Sequence, residues 1–81
     1  MMDMYILIVC NFDDAENVLS KIENLDVIQE GHLLNGVYDM IIKISGQSFE
    51  ELERINSKIR AVAGVKATLT LTGYNPSSIS D

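Results

Sequence analysis

One run of residues limits the folds open to this chain more than any other feature of its sequence. Residues 4–10 read Met-Tyr-Ile-Leu-Ile-Val-Cys, an uninterrupted apolar stretch rich in β-branched side chains. A run of this length favours a strand buried on both faces over a helix, and it is too short to span a membrane. The chain has only 81 residues, so we expect one domain with a modest core and with this strand at the centre of a small sheet.

Two segments carry the periodicity of amphipathic helices. Apolar side chains recur at helical spacing in residues 15–25 and again in residues 49–62. Each segment is opened by a Ser or an Asp with a Glu three positions later, which predicts a capping box at each helix N-terminus. The two predicted boxes are Asp13 with Glu16 and Ser48 with Glu51.

Three further segments have strand patterns, at residues 27–34, 37–45 and 65–72. Between the second and third strands, Asn35-Gly36 predicts a tight hairpin turn because both residue types tolerate positive φ. The order is therefore β-α-β-β-α-β. It predicts an α+β, ferredoxin-like split β-α-β fold, in which a four-stranded antiparallel sheet has its first and third strands at the centre and both helices on one face.

The first strand is apolar on both faces and the third strand is apolar on one face and mixed on the other, although two helices on one side can cover only one face. Soluble monomers rarely expose an apolar patch of that size. The single cysteine, Cys10, excludes an internal disulfide, and together with the single histidine, His32, it offers no spaced metal-ligand set. A second subunit packed sheet against sheet is the simplest cover, so we expect a homodimer of the dimeric α+β barrel type.

Charge and targeting signals narrow the functional classes. The formal net charge is −6 and the six basic residues are dispersed, which argues against direct contact with nucleic acid. No signal sequence or membrane segment is recognisable, so the expected location is cytoplasmic, without a membrane partner. We expect no cofactor and no metal.

Two groups of polar residues are candidates for ligand contact. In the first, the backbone N–H groups of Asn35 and Gly36 precede Tyr38 and Asp39, a carboxylate among apolar neighbours. The second is a row of hydroxyls, including Thr68 and Thr70, which we expect on the sheet face that meets the partner. A zwitterion would suit this set, its carboxylate on the turn and its ammonium on Asp39. The alternatives are a hydrogen bond from Asp39 to the turn and simple β-propensity of the threonines.

Two stretches, taken in order, match the pattern of a known family. They are Asn35-Gly36-Val37-Tyr38-Asp39 leading into Met40-Ile41-Ile42-Lys43-Ile44, and Ile59-Arg60-Ala61-Val62-Ala63-Gly64-Val65-Lys66-Ala67-Thr68-Leu69-Thr70. The first resembles the Gly-x-Tyr-Asp segment of the effector-binding (RAM) domain of Lrp/AsnC transcription regulators. The second is similar to that domain's Ile-Arg…Gly-Val…Thr-x-Thr segment. The resemblance covers about residues 3–72.

The resemblance implies an amino-acid effector, sheet-to-sheet dimers and higher rings of dimers, with the effector bound where dimers meet. By position it assigns effector binding to Gly36, Tyr38, Asp39, Thr68 and Thr70. Two departures are Val37, where relatives often carry a polar residue, and the absence of the helix-turn-helix domain of full-length members. We therefore expect residues 1–73 to act as a stand-alone effector-binding domain and residues 74–81 to form a polar tail.

The expected function is a non-enzymatic, amino-acid-responsive module that modulates full-length Lrp/AsnC-type regulators by joining their rings. One alternative is a small enzyme of the dimeric α+β barrel type, working in the cavity between facing sheets with His32 or Asp39. The other is a purely structural interaction module. A pocket at a subunit junction beside residues 36–39 would distinguish the amino-acid-responsive module from the purely structural one.

Overall fold

The computed structural model describes residues 2–73 and contains four strands, two α-helices and one short 3-10 helix. The predicted tail at residues 74–81 lies outside the described residues. In chain order the elements are β1 (Met2–Val9), the 3-10 helix (Phe12–Asp14), α1 (Ala15–Glu23), β2 (Glu30–Leu33), β3 (Met40–Gly46), α2 (Phe49–Arg60) and β4 (Ala67–Gly73). This β-α-β-β-α-β order confirms the predicted fold class.

The sheet has the strand order β2-β3-β1-β4, and every neighbouring pair is antiparallel. The two most apolar strands, β1 and β3, therefore occupy the centre, as the sequence predicts. Ile6 on β1 lies opposite Ile42 on β3 and opposite Thr70 on β4. Because side chains that lie opposite each other share a face, this row fixes which residues point toward the helices.

Both helices pack on one face of the sheet. Alternate side chains of β1 and β3 are buried there together with the apolar stripes of α1 and α2. The predicted helix stripes are confirmed, except that Phe49 at the start of α2 is exposed. The fully buried side chains are Met4, Ile6, Ile8, Val18, Ile22, Met40, Ile42, Ile44, Leu52 and Ile59.

We call the other side of the sheet the open face. The side chains of β1 and β3 that alternate with the core include the half-buried apolar residues Tyr5, Leu7, Val9 and Ile41, together with the polar residues Asp3, Lys43 and Ser45. On β4 the open face carries Leu69 and Leu71, which are 44% and 48% exposed. An apolar surface thus runs across the two central strands to the β4 edge, with no element of residues 2–73 covering it.

The expected position of the threonine row is wrong. Thr68 and Thr70 lie opposite Ile8 and Ile6, whose side chains are buried beneath the helices, so both threonines point to the helix side. The leucines between them point to the open face instead. The alternation of residue types along β4 predicts that its threonines and its leucines point to opposite faces of the sheet. Only the pairing of β4 with β1 decides which of the two faces the helices.

The two predicted capping boxes behave differently. At α2, the Ser48 hydroxyl accepts a hydrogen bond from the Glu51 N–H at 3.2 Å, and Glu51 Oε1 accepts one from the Gln47 N–H at 2.6 Å. At α1 the predicted box is not formed. The 3-10 helix places Asp14, and not Asp13, at the N-cap position, and no side chain caps the helix there.

Candidate functional site

The loop that joins β2 to β3 is longer than the sequence predicts. β2 ends at Leu33 and β3 begins at Met40, so residues 34–39 form a six-residue loop between them. The Leu34 N–H donates to the Asp39 carbonyl at 2.9 Å and closes the loop at its base. The predicted tight turn is wrong, because Asn35 and Gly36 both have negative φ and a turn of that type needs positive values.

Asp39 is held firmly against the end of β1. Its backbone N–H donates to the Ile8 carbonyl at 2.8 Å, and its carboxylate oxygen Oδ2 accepts from the Cys10 N–H at 2.9 Å. The carboxylate therefore bonds to the neighbouring strand, where the ladder between β1 and β3 stops, and not to its own turn. Its other oxygen, Oδ1, has no hydrogen-bond donor within residues 2–73.

The Cys10 thiol next to this carboxylate is not activated. Burial raises the pKa of the Cys10 thiol above its ordinary value, and the negative charges of Asp39 and Asp14 raise it further, against a smaller opposing effect of Lys66. A raised pKa lowers the thiolate fraction at neutral pH. Cys10 therefore serves as a packing residue whose N–H positions Asp39.

The tip of the loop is exposed. Val37 is 87% exposed, and Asn35 and Gly36 are also exposed, whereas Tyr38 is half-buried. A Cβ atom built on Gly36 would have no heavy atom within 4 Å. Neither backbone conformation nor packing within one subunit therefore requires glycine at this position.

A cleft of about 330 Å³ opens at the base of the loop, between the loop and the start of α1. Its apolar lining comes from Phe12, Ala15, Leu33 and Leu34, and its acidic lining from Asp13, Glu16 and Asp39. Of the six residues predicted for effector binding, only Asp39 lines this cleft. Sequence reasoning missed the other lining residues because they come from two segments that only the pairing of β1 with β3 brings together.

Thr68 and Thr70 are separated from Asp39 within one subunit. They lie on β4, two strands away from β3, which is about 10 Å at the usual strand spacing. The Thr70 hydroxyl accepts a hydrogen bond from the Asn56 side-chain amide at 3.3 Å. Asn56 is only 4% exposed, and its Oδ1 has no partner among the described residues. Asn56 was not predicted from the sequence, although a polar side chain within the apolar stripe of α2 could have indicated it.

His32, the residue that would support an enzyme, does not line the cleft beside Asp39. It lies on the edge strand β2 and shares the open face with Glu30, whose Oε1 is 3.2 Å from its Nε2. Within the part of the chain that the structure describes, no three His, Cys, Asp or Glu residues are grouped to hold a metal ion. No helix in residues 2–73 is long and apolar enough to cross a membrane.

Comparison with known proteins identifies the same domain by sequence and by structure. The family described as Lrp/AsnC ligand binding domain matches residues 3–74. The structure of AsnC from E. coli superposes with a TM-score of 0.82 at 28% identity, covering 93% of this chain and 52% of AsnC. The fold is also that of the protein TTHA0845 from Thermus thermophilus, with a TM-score of 0.83 at 24% identity, covering 93% of this chain and 95% of that protein.

One curated relative has a different name. A homocitrate synthase of Sulfolobus acidocaldarius is 37% identical over 54 residues. The matched segment is 67% of this chain but only 12% of that protein. The chain thus corresponds to a small part of this relative and to about half of AsnC.

Proposed function

This chain belongs to the Lrp/AsnC ligand-binding domain family, and from that premise we propose that it is a non-enzymatic regulatory module. It binds an amino acid beside residues 34–39 and forms homodimers that assemble further into rings. The family is a regulatory ligand-binding domain, which supports this class of function. The observation that carries the proposal is the Asp39 carboxylate, anchored at an apolar cleft beside a loop whose backbone is open.

The geometry of Asp39 suits an ammonium group. Its Oδ2 is fixed by the Cys10 N–H, so Oδ1 keeps its orientation without a ligand. Such preorganisation lowers the entropy lost when a ligand binds. A charge-assisted hydrogen bond from an ammonium to Oδ1 would then be short and directional.

The exposed loop backbone suits the ligand's carboxylate. A side chain at Gly36 would meet nothing within one subunit, so nothing inside the subunit requires glycine there. Close approach of a ligand or of a second subunit to the backbone N–H groups would give a reason for glycine. Asn35, Gly36 and Tyr38 thus stay predicted contacts. Thr68 and Thr70 also stay predictions, and they would need a neighbouring subunit to reach the same ligand.

The open face supports the proposed dimer. Half-buried and exposed apolar side chains form one surface there, and the strands that carry them also form the core. Packing two such surfaces sheet to sheet would remove both from water at once, because a two-fold interface uses the same patch twice. The exposed Val37 at the loop tip gives a second surface, at which dimers can meet to form rings.

The similarity to parts of two differently named proteins supports a module that works beside other domains. It matches about half of AsnC and a small segment of a homocitrate synthase. We propose that this chain modulates full-length Lrp/AsnC-type regulators by entering their rings. Mixing it with such a regulator and measuring the masses of the complexes would show joint assemblies, whereas separate homo-oligomers would contradict this part of the proposal.

The amino-acid response can be tested directly. The melting temperature and the assembly mass are measured with each of the twenty amino acids, because a ligand that binds only the native assembly must stabilise it. We expect at least one to raise the melting temperature or to change the mass. The absence of any response across the twenty would contradict amino-acid binding.

A matched pair of variants locates the site. Asp39→Asn removes the charge but keeps an oxygen for the Cys10 N–H, so the fold should persist while the response is lost. Asp39→Ala is less informative, because it leaves a buried N–H without its acceptor at a cost of about 1–3 kcal/mol. Asp26→Asn is the control, an exposed carboxylate at φ 56°, a conformation that Asn tolerates. A retained response in Asp39→Asn would place the site elsewhere.

A further inference from the structure

The loop between β2 and β3 carries the one Asn-Gly pair of the sequence, Asn35 with Gly36. Both residues are exposed, and a Cβ built on Gly36 would meet no heavy atom within 4 Å. The Gly36 N–H has no hydrogen-bond acceptor within residues 2–73. The backbone nitrogen that follows the Asn35 side chain is therefore reachable by water, uncrowded and unbonded.

The other asparagines of the chain do not combine these properties. Each is followed by a residue with a side chain, which restricts the backbone more than glycine does. Asn24 precedes Leu25, whose N–H donates to the Ile22 carbonyl at 3.0 Å. Asn56 lies within α2 and is only 4% exposed. Asn35 thus differs from them in both its neighbour and its surroundings.

We propose that Asn35 is a modification site, which deamidates spontaneously to aspartate and isoaspartate. The Gly36 nitrogen forms a bond to the side-chain carbonyl carbon of Asn35, an intramolecular attack that the covalent connection favours. The bond from that carbon to the amide nitrogen breaks, and ammonia leaves with the proton that the Gly36 nitrogen gives up. The succinimide ring then takes up one water molecule and opens at either of its carbonyl groups. Water is the one co-reactant, and nothing is oxidised or reduced.

The product places a new negative charge at the tip of the loop. The chain already has a formal net charge of −6, and the cleft at the base of the loop is lined by Asp13, Glu16 and Asp39. The effect on assembly rests on the proposed function, in which dimers meet through this loop. Such a contact would bring like charges together, so deamidated protein should assemble less, and the difference should shrink in concentrated salt.

Mass spectrometry of proteolytic peptides measures the conversion after dilute protein is incubated in a mildly alkaline buffer. Dilution keeps the loop uncovered, and Asn24 in the same digest is the internal reference. Gly36→Ala should slow the conversion about tenfold, because alanine disfavours backbone conformations that glycine adopts freely. Val37→Ala is the matched control, since it truncates the neighbouring exposed side chain and keeps the Asn-Gly pair.

The outcomes separate the modification from the proposed function. Conversion at Asn35 that outpaces Asn24, slows in Gly36→Ala and persists in Val37→Ala supports the proposal. An Asn35 that stays amidated, or an equal rate in Gly36→Ala, overturns it.

The effect on assembly has its own test, because Asn35→Asp carries the aspartate product from the start. A lower assembly mass than that of the unsubstituted protein supports the effect on the loop contact. Equal masses overturn that effect and leave the deamidation standing. If the unsubstituted protein forms no rings, the proposed ring contact is wrong, and the peptide masses still decide whether Asn35 is modified.

Discussion

The apolar open face gives a quantitative prediction about assembly. Leu69→Ala and Leu71→Ala shorten two side chains of β4 that lie on this face and are 44% and 48% exposed in the single subunit. Because neither side chain reaches the helix-covered core, the substitutions should leave the fold of the subunit unchanged. They should weaken the proposed sheet-to-sheet dimer.

The magnitude follows from the surface that remains to be buried. Burying a whole leucine side chain contributes about 1.5–3 kcal/mol, so a half-exposed leucine has roughly 1 kcal/mol left to gain in the dimer. Truncation to alanine removes most of this gain, and a two-fold interface counts each substitution twice. Each single variant should therefore lose about 1.4 kcal/mol, a tenfold rise in the dimer dissociation constant, and the double variant about a hundredfold.

Sedimentation equilibrium over a dilution series measures the dissociation constant, and circular dichroism checks the fold. Leu33→Ala is the matched control, because Leu33 is the same residue type at 43% exposure but lies on the helix side, in the cleft. We expect Leu33→Ala to leave the dimer constant unchanged. Unchanged dimers in the double β4 variant, or an equal effect in Leu33→Ala, would refute the assignment of this face to the interface.

Four further predictions concern stability and reactivity. Gly64→Ala should lower the free energy of unfolding by about 1–3 kcal/mol, because Gly64 has φ 101° and a Cβ there would lie 2.8 Å from Val18 Cγ2. Gly36→Ala is the control, and its free energy of unfolding in urea should stay within about 0.5 kcal/mol of the unsubstituted protein. Asn56→Leu should raise the melting temperature by about 4 °C at fixed subunit concentration, since it removes a buried unpartnered oxygen worth roughly 1 kcal/mol. Equal or lower stability would contradict this expectation, because the Asn56–Thr70 hydrogen bond lost in the same variant would then outweigh the gain from removing the unpartnered oxygen. Cys10 should react with Ellman's reagent at pH 8 far more slowly than in urea, because burial raises its pKa and restricts access. Because the raised pKa makes the folded thiol harder to ionise than the unfolded one, the free energy of unfolding should not depend on Cys10 below the unfolded thiol pKa of about 8.5 and should fall as pH rises from there through the folded value.

The order of the elements could be read from the sequence because each depends on local pattern. The apolar run at residues 4–10 predicted a central strand, and β1 does lie at the centre of the sheet with one face in the core. The helix stripes were equally clear, since Val18 and Ile22 on α1 and Leu52 and Ile59 on α2 are all buried. Ser48 was recognisable as a cap because its bond spans only three residues.

The errors concern relations between segments that are distant in sequence. The direction of Thr68 and Thr70 depends on the register of β4 against β1, which no local pattern encodes. Asn35-Gly36 has strong turn propensity, but the hydrogen bonds of Asp39 to β1 set where β3 begins and extend the loop. The cleft could not be anticipated for the same reason, because Phe12 and Leu33 meet only after the sheet has formed.

The features that one subunit does not explain suggest how binding and assembly are coupled. Gly36 has no steric reason to be glycine, and Val37 exposes 87% of its surface beside it. Both lie on the loop that carries Asp39, whereas Leu69 and Leu71 lie on the opposite side of β1 from that loop, on the β4 edge of the open face.

If the dimer forms through the open face and dimers meet in rings through the loop, an amino acid bound at Asp39 affects only the contact between dimers. A ligand can shift an assembly only by its difference in affinity between the two states. We therefore expect amino acids to change the number of dimers in a ring without changing the dimer constant, and Asp39→Asn to remove that change.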